Sequence, residues 1–167
     1  MDMKNLWLIR HAKSSWHFGE LQDVLRPLNE RGYRDAPDMA ARLKKAAVVP
    51  DLIITSHAIR AYSTAMIFAD VLKYPQGNIR IIPKLYDATT SSYLNAIQTI
   101  PQQYNTVLLF AHNPTISQTL ELLAGLEHQE LPTAGMAHIQ FAHNEWSECA
   151  AKSGKLMLVD YPKSGLD

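Results

Sequence analysis

The chain has 167 residues, with 16 Lys and Arg against 16 Asp and Glu and a formal net charge of zero. That length supports a single domain over 1–167 with an ordinary core, and 47% hydrophobic against 19% charged residues excludes a disordered chain. Zero net charge with scattered cations excludes a generic nucleic-acid binder, which carries a basic excess or a basic face. One cysteine, Cys149, excludes an intrachain disulfide and fits a reducing, cytoplasmic setting. No apolar run reaches the roughly 18 residues of a membrane span. The start, Met1-Asp2-Met3-Lys4-Asn5, leads into an apolar stretch that ends at Arg10, too short for a signal peptide.

Short apolar runs alternate with helical patterns along the chain. Residues 6–9 have strand length and composition, and a helix is predicted over about 30–46. A strand at 52–54 is followed by a helix at about 58–73, where Ile59, Tyr62, Ala65, Met66, Ala69 and Leu72 form a stripe at core-facing spacing. A strand at 79–82 precedes a helix at about 91–100, which begins at Ser91 or Ser92 and is stopped by Pro101. A strand at 107–110 and a helix at about 115–124 complete the alternation. Two later runs, 136–141 and 156–161, read as edge strands that add antiparallel pairing, the second entered through a hairpin turn at 152–155 around Gly154. The whole reads as α/β in three layers, a mostly parallel central sheet flanked by helices.

Polar residues cluster just past the strands. Arg10-His11 follows the first, Thr55-Ser56-His57 the second with Arg60 one helical turn on, and His112-Asn113 the fourth. Open α/β sheets bind ligands outside the carboxyl ends of their strands, so two histidines and two arginines are expected to converge there. Two guanidinium forks suit phosphate oxygens, and a helix N-terminus adds N–H donors. Burial and neighbouring arginine charges favour neutral imidazole, the nucleophilic form. The fitting chemistry is phosphoryl transfer through a phosphorylated histidine. Zinc is a poor competitor despite seven histidines: His138 and His143 diverge on or beside a strand, and no Cys-x-x-Cys exists. No Gly-x-x-x-x-Gly-Lys or Gly-x-Gly-x-x-Gly loop occurs.

The run Leu8-Ile9-Arg10-His11-Ala12-Lys13-Ser14-Ser15-Trp16 resembles the opening motif of the histidine phosphatase superfamily (branch 1), in its SixA-type phosphohistidine phosphatase form. Five further blocks continue the likeness in order. They are Arg26-Pro27-Leu28-Asn29-Glu30-Arg31-Gly32, the stretch 56–65 from Ser56 through Arg60 to Ala65, Leu85-Tyr86-Asp87-Ala88, Ala111-His112-Asn113-Pro114 and Leu131-Pro132-Thr133-Ala134-Gly135.

The resemblance implies a phosphoglycerate-mutase-like fold and a nucleophile, His11, that is transiently phosphorylated. It implies that Arg10, Arg60 and His112 bind the phosphoryl oxygens, with Arg26 a further phosphate or entrance contact. Asn113 and Ser56 stand at helix starts, where they orient the histidines or act as ordinary caps. It implies no metal or cofactor, and a phosphohistidine-containing protein or small phosphorylated substrate as partner. Asp87 is the candidate general acid, although an ordinary Asp titrates near about 3.9 and nearby arginines lower it further. Imidazole is a better leaving group than an alkoxide, so the SixA-like branch is thought to work without a dedicated acid. Two departures stand out: Ala12 replaces the Gly of many superfamily members, and His57 stands where Pro is common. A phosphomonoesterase on the same machinery and a non-catalytic phosphate- or phosphohistidine-binding module are the competing expectations.

Overall fold

The computed structural model describes residues 3–163; Met1 and Asp2 of the opening stretch lie outside them. In chain order the elements are β1 (Lys4–Arg10), α1 (Glu30–Lys45), β2 (Leu52–Thr55), α2 (Ile59–Val71), β3 (Arg80–Ile81), α3 (Thr90–Gln98), β4 (Thr106–Ala111), α4 (Thr115–Ala124), β5 (Met136–Phe141) and β6 (Gly154–Asp160). The sheet runs in the order β3-β2-β4-β1-β5-β6. The pairs β1–β4, β4–β2 and β2–β3 are parallel, and β5 alone runs against its neighbours β1 and β6.

Strand residues alternate between two cores. Leu6, Leu8, Ile54, Val107 and Leu109 face α3 and α4 with Ile97, Ile116 and Leu120. Trp7, Ile9, Ile53, Leu108 and Phe110 face α1 and α2 with Met39, Leu43 and Phe68. Burial on both faces is why these strands read as continuous apolar runs rather than alternating ones.

β2, β4 and β1 are adjacent and parallel, so their carboxyl ends open on one edge. The register pairs Arg10 with Ala111 and Thr55 with Phe110. His11, Ser56 and His112 therefore leave the sheet at one level, side by side.

Three expectations are corrected. β5 is interior, not an edge: it pairs with β1 and β6, Met136, Ala137, Ile139 and Phe141 are buried, and the polar His138 stacks on its cross-strand partner Trp7 at 4.5 Å and bonds Asn5 Oδ1 at 2.8 Å. Gly154 is not in a turn but begins β6, where a Cβ would run into Ile139 and Phe141. The buried face of α2 is also rotated from the expected stripe. It carries Arg60, Ala61, Thr64, Ala65, Phe68 and Ala69, while Ile59 is exposed. Two polar residues replace larger apolar ones on that face because Arg60 and Thr64 are tied to the loop after β1: the Ala12 N–H donates to Thr64 Oγ1 at 3.0 Å.

That loop is also held from α1. Asn29 caps the helix by accepting the Gly32 N–H at 2.9 Å, and its own N–H donates to Lys13 O at 3.0 Å. A Cβ at Gly32 would collide with the same Lys13 carbonyl. Replacing Gly32 with Ala is expected to destabilise the fold by about 1–3 kcal/mol through overpacking. Denaturant titration should show a lower midpoint at unchanged slope; an unaltered midpoint would remove this close approach from the account.

Candidate active site

The backbone of His11 is clamped on both sides. Its N–H donates to Ala111 O at 3.1 Å, and its carbonyl accepts the Ala134 N–H at 3.0 Å. Its Nδ1 lies 2.7 Å from Ala12 O. A carbonyl only accepts, so Nδ1 carries the proton and Nε2 keeps its lone pair. Arg60 Nε stands 3.4 Å from that Nε2. His11, Arg60 and His112 are each about nine-tenths buried.

The His112 ring lies 5.2 Å from that of His11. Its Nε2 is 2.6 Å from Ser56 Oγ, which already accepts the Ala58 N–H at 3.3 Å. We assign the Ser56 proton to this contact, which leaves Nδ1 as the N–H of the ring. That nitrogen is buried and has no hydrogen-bond partner among the described residues. Ser56 thus orients a histidine, one of the two roles expected for it.

Both imidazoles are held neutral. For His11 burial is the main cause, with the repulsion two protonated rings would feel beside His112 and the charges of Arg60 and Arg10 adding to it, and the bond to Ala12 opposing. For His112, burial and the charge of Arg60 bring it down to about 3.

The cleft in front of these groups has a volume of about 340 Å³ and is lined by Asp23, Arg60, Tyr86, Asp87, His112 and Asn113 among others. Arg60 is held from two directions: Nη1 donates to Asp23 O at 2.8 Å and Nη2 to Asp23 Oδ2 at 3.0 Å. Arg26 joins through the same carboxylate, with Nε 2.9 Å from Asp23 Oδ1, and donates from Nη1 to Ser14 Oγ at 2.5 Å. Its guanidinium lies 3.7 Å from the centre of the exposed Trp16 ring.

Arg10 sits slightly apart. It donates from Nη1 to Leu131 O at 3.0 Å and lines a neighbouring depression with Glu130 and Tyr161, although its charge acts on both histidines. Asn113 lines the cleft, with its amide committed to Leu131 O at 2.8 Å and to the Ser117 hydroxyl at 2.5 Å. Asp87 is exposed on the rim in the left-handed backbone region, φ 49°. His57 is exposed and packs edge-on against Tyr86 at 5.4 Å.

Asp23 escaped the sequence reading. It lies on a single 3₁₀ turn (Asp23–Leu25) in a stretch without hydrophobic periodicity. The available signal was its spacing, three residues before Arg26, which such a turn makes into an ion pair.

Buried, neutral histidines thus gather beside two arginines that share one carboxylate, at the carboxyl edge of the parallel strands. The chain belongs to the histidine phosphatase superfamily (branch 1), whose family model matches residues 6–89, and it is SixA-like within that family. An uncharacterized chloroplastic protein of Arabidopsis thaliana is 32% identical over 162 residues, which cover 90% of this chain and 72% of that protein. A candidate phosphohistidine phosphatase SixA from Agrobacterium tumefaciens superposes with a TM-score of 0.77 at 28% identity, over 95% of this chain and 98% of that one. The protein histidine phosphatase SixA, at 20% identity, shares the fold with a TM-score of 0.82 over 96% of this chain and 98% of its own. The fold is phosphoglycerate-mutase-like, and family membership makes the protein a phosphatase.

The depressed histidines set the sign of a pH effect on stability. An unfolded histidine titrates near about 6.5, so below that pH the unfolded chain binds protons that the folded one refuses, and stability falls as pH drops. Each such histidine contributes a slope of about 1.4 kcal/mol per pH unit. Replacing His112 with Gln should remove about one such slope between about pH 6 and pH 4, read from denaturant titrations at stepped pH. An unchanged slope would mean that His112 is not held neutral.

Proposed function

We propose that the protein hydrolyses phosphohistidine on a partner protein through a phospho-His11 intermediate. The observation that carries this reading is the bond from His11 Nδ1–H to Ala12 O, which commits Nε2 to nucleophilic attack beside Arg60. In the first step the Nε2 lone pair attacks phosphorus, the bond to the substrate imidazole breaks, and its electron pair stays on the leaving ring. In the second, water attacks phosphorus, the bond to Nε2 breaks, and both water protons leave in dihydrogen phosphate while His11 returns to neutral.

Arg60 and the His112 Nδ1–H donate to the phosphoryl oxygens and stabilise the charge that spreads over them in transfer. Arg26 acts beside them through the shared carboxylate. Arg10 contributes its field from the strand end. Asn113 holds the turn before β5 against α4. This positive field replaces a metal or cofactor. Among the described residues no helix is long and apolar enough to cross a membrane. The free, buried thiol of Cys149 supports a cytoplasmic location.

A phosphomonoesterase is the second reading, favoured by Asp87 on the cleft rim, from which a carboxyl group reaches an ester leaving group. A candidate α-ribazole-5′-P phosphatase from Escherichia coli shares the fold, with a TM-score of 0.65 at 21% identity over 94% of this chain and 96% of its own. A binding module without chemistry has no use for a buried nucleophile, which leaves it third.

Replacing His11 with Ala should reduce turnover of a phosphohistidine protein by at least about a thousandfold, since the covalent route is lost. Steady-state phosphate release checks this, and turnover that survives the change contradicts the mechanism. Replacing Asp87 with Asn should slow p-nitrophenyl phosphate more than phosphohistidine, because phenolate departure gains more from a proton donor. Equal slowing of both substrates would remove the acid role of Asp87.

A further inference from the structure

The cleft contains a carboxylate where a phosphate-binding site should repel one. Asp23 lines the same cleft as Arg60 and His112, yet its side chain keeps 47% of its exposure and stands toward the mouth. Its Oδ2 accepts from Arg60 Nη2 at 3.0 Å and from the Tyr86 hydroxyl at 2.6 Å, and its Oδ1 accepts from Arg26 Nε at 2.9 Å. A carboxylate offers about four acceptor positions, so three are filled and one remains toward the opening. If Asp23 served only to neutralise two arginines, it would weaken the field that holds the phosphoryl group.

A group leaving in line from a phosphorus attacked by His11 departs on the side opposite Nε2. Arg60 and His112 are the buried residues of the cleft lining, and His11 lies against both, its Nε2 3.4 Å from Arg60 Nε and its ring 5.2 Å from that of His112. The side away from Nε2 is then the more exposed one, where Asp23 and Tyr86 stand. We infer that the Asp23 carboxylate accepts the free ring N–H of an imidazolium leaving group and thereby selects phosphohistidine over phosphate esters. This specificity role rests on the phosphohistidine reading above.

The balance of the step explains why a carboxylate suits this place. The phosphorylated imidazole enters protonated on its far nitrogen, a cation that Asp23 stabilises. When the P–N bond breaks, its electron pair goes to the near nitrogen and the ring leaves neutral, with its proton still on the far nitrogen. No proton is donated during the step, so no acid is required. An ester presents an oxygen at that place instead, with no N–H, and its developing negative charge meets the Asp23 anion.

Asp23 is suited to accept rather than donate. Burial works to raise its acid, but hydrogen bonds from Tyr86 and Arg26 and the charge of Arg60 outweigh it and hold the group well below the usual carboxylate range. The Tyr86 phenol is raised in turn, chiefly by its bond to Asp23, and so keeps its proton and its donor role.

The test is the ratio of kcat/KM for phosphohistidine to that for p-nitrophenyl phosphate. In D23N this ratio should fall at least about tenfold, the loss expected for a charge-assisted hydrogen bond, and D23E should restore part of it. An unchanged ratio, with both substrates slowed alike, would reduce Asp23 to a support for Arg60 and overturn the inference alone. Wild-type protein that fails to turn over phosphohistidine would instead overturn the functional reading beneath it. A second measurement needs no variant. Of two uncleavable phosphonates on five-membered rings, one with a ring N–H on its far side and one with a bare nitrogen there, wild-type protein should bind the first at least about fivefold more tightly. Equal or reversed affinities would overturn the inference.

Discussion

The site depends on keeping an imidazole neutral among guanidinium groups. A protonated His11 would offer no lone pair, and a histidine left to swing would meet phosphorus from no fixed direction. The bond from Nδ1 to the Ala12 carbonyl settles both the tautomer and the direction. It also pulls the other way, since a donor bond favours the charged ring, and burial, the closeness of His112 and the charges of Arg60 and Arg10 must overcome it. The surrounding structure supplies that burial. β4 and the turn at 131–135 clamp the His11 backbone, Thr64 of α2 holds Ala12, and α1 holds Lys13 through Asn29. Two helices on one face of the sheet, a neighbouring strand and a distant turn thus converge on three consecutive residues, His11, Ala12 and Lys13.

Much of this was legible in the sequence, for reasons that belong to parallel sheets. Short apolar runs separated by helices fix which ends of the strands gather, so His11, Arg60 and His112 could be placed together without a contact being known, whereas the Arg10 guanidinium turns to Leu131 O and a neighbouring depression. The parts that were not legible are those decided by partners distant in sequence. The α2 stripe was read from the spacing of apolar residues, whereas its true inward face is chosen by what Arg60 and Thr64 must reach. β5 was read as an edge strand because it comes late in the chain after the βα alternation, but it pairs with β1 and β6, and His138 within it stacks on its cross-strand partner Trp7. Asp23 lies in a loop without periodicity, and its importance comes from Arg60 and Tyr86, far along the chain.

Asp23 also changes the meaning of the chain's zero net charge. The cleft is not a simple cationic hole in a neutral molecule. Its arginines are paired with an anion at the mouth and left with donors toward the floor, so the field is positive where a phosphoryl group sits and negative where its leaving group departs. A gradient of that kind distinguishes substrates by the charge of the departing group as well as by the phosphate they share, and in a low-dielectric cleft such differences are amplified.

The central claim is that phosphorus becomes bonded to one atom, Nε2 of His11. Rapid quenching of wild-type protein with a ³²P-labelled phosphohistidine substrate, followed by alkaline peptide mapping and ³¹P spectroscopy of the labelled peptide, tests it directly. The account predicts an acid-labile, base-stable phosphoryl group on the peptide that contains His11, with the chemical shift of an Nε2 adduct. A label on Nδ1, a label on another residue, or turnover without any covalent phosphoenzyme would contradict it.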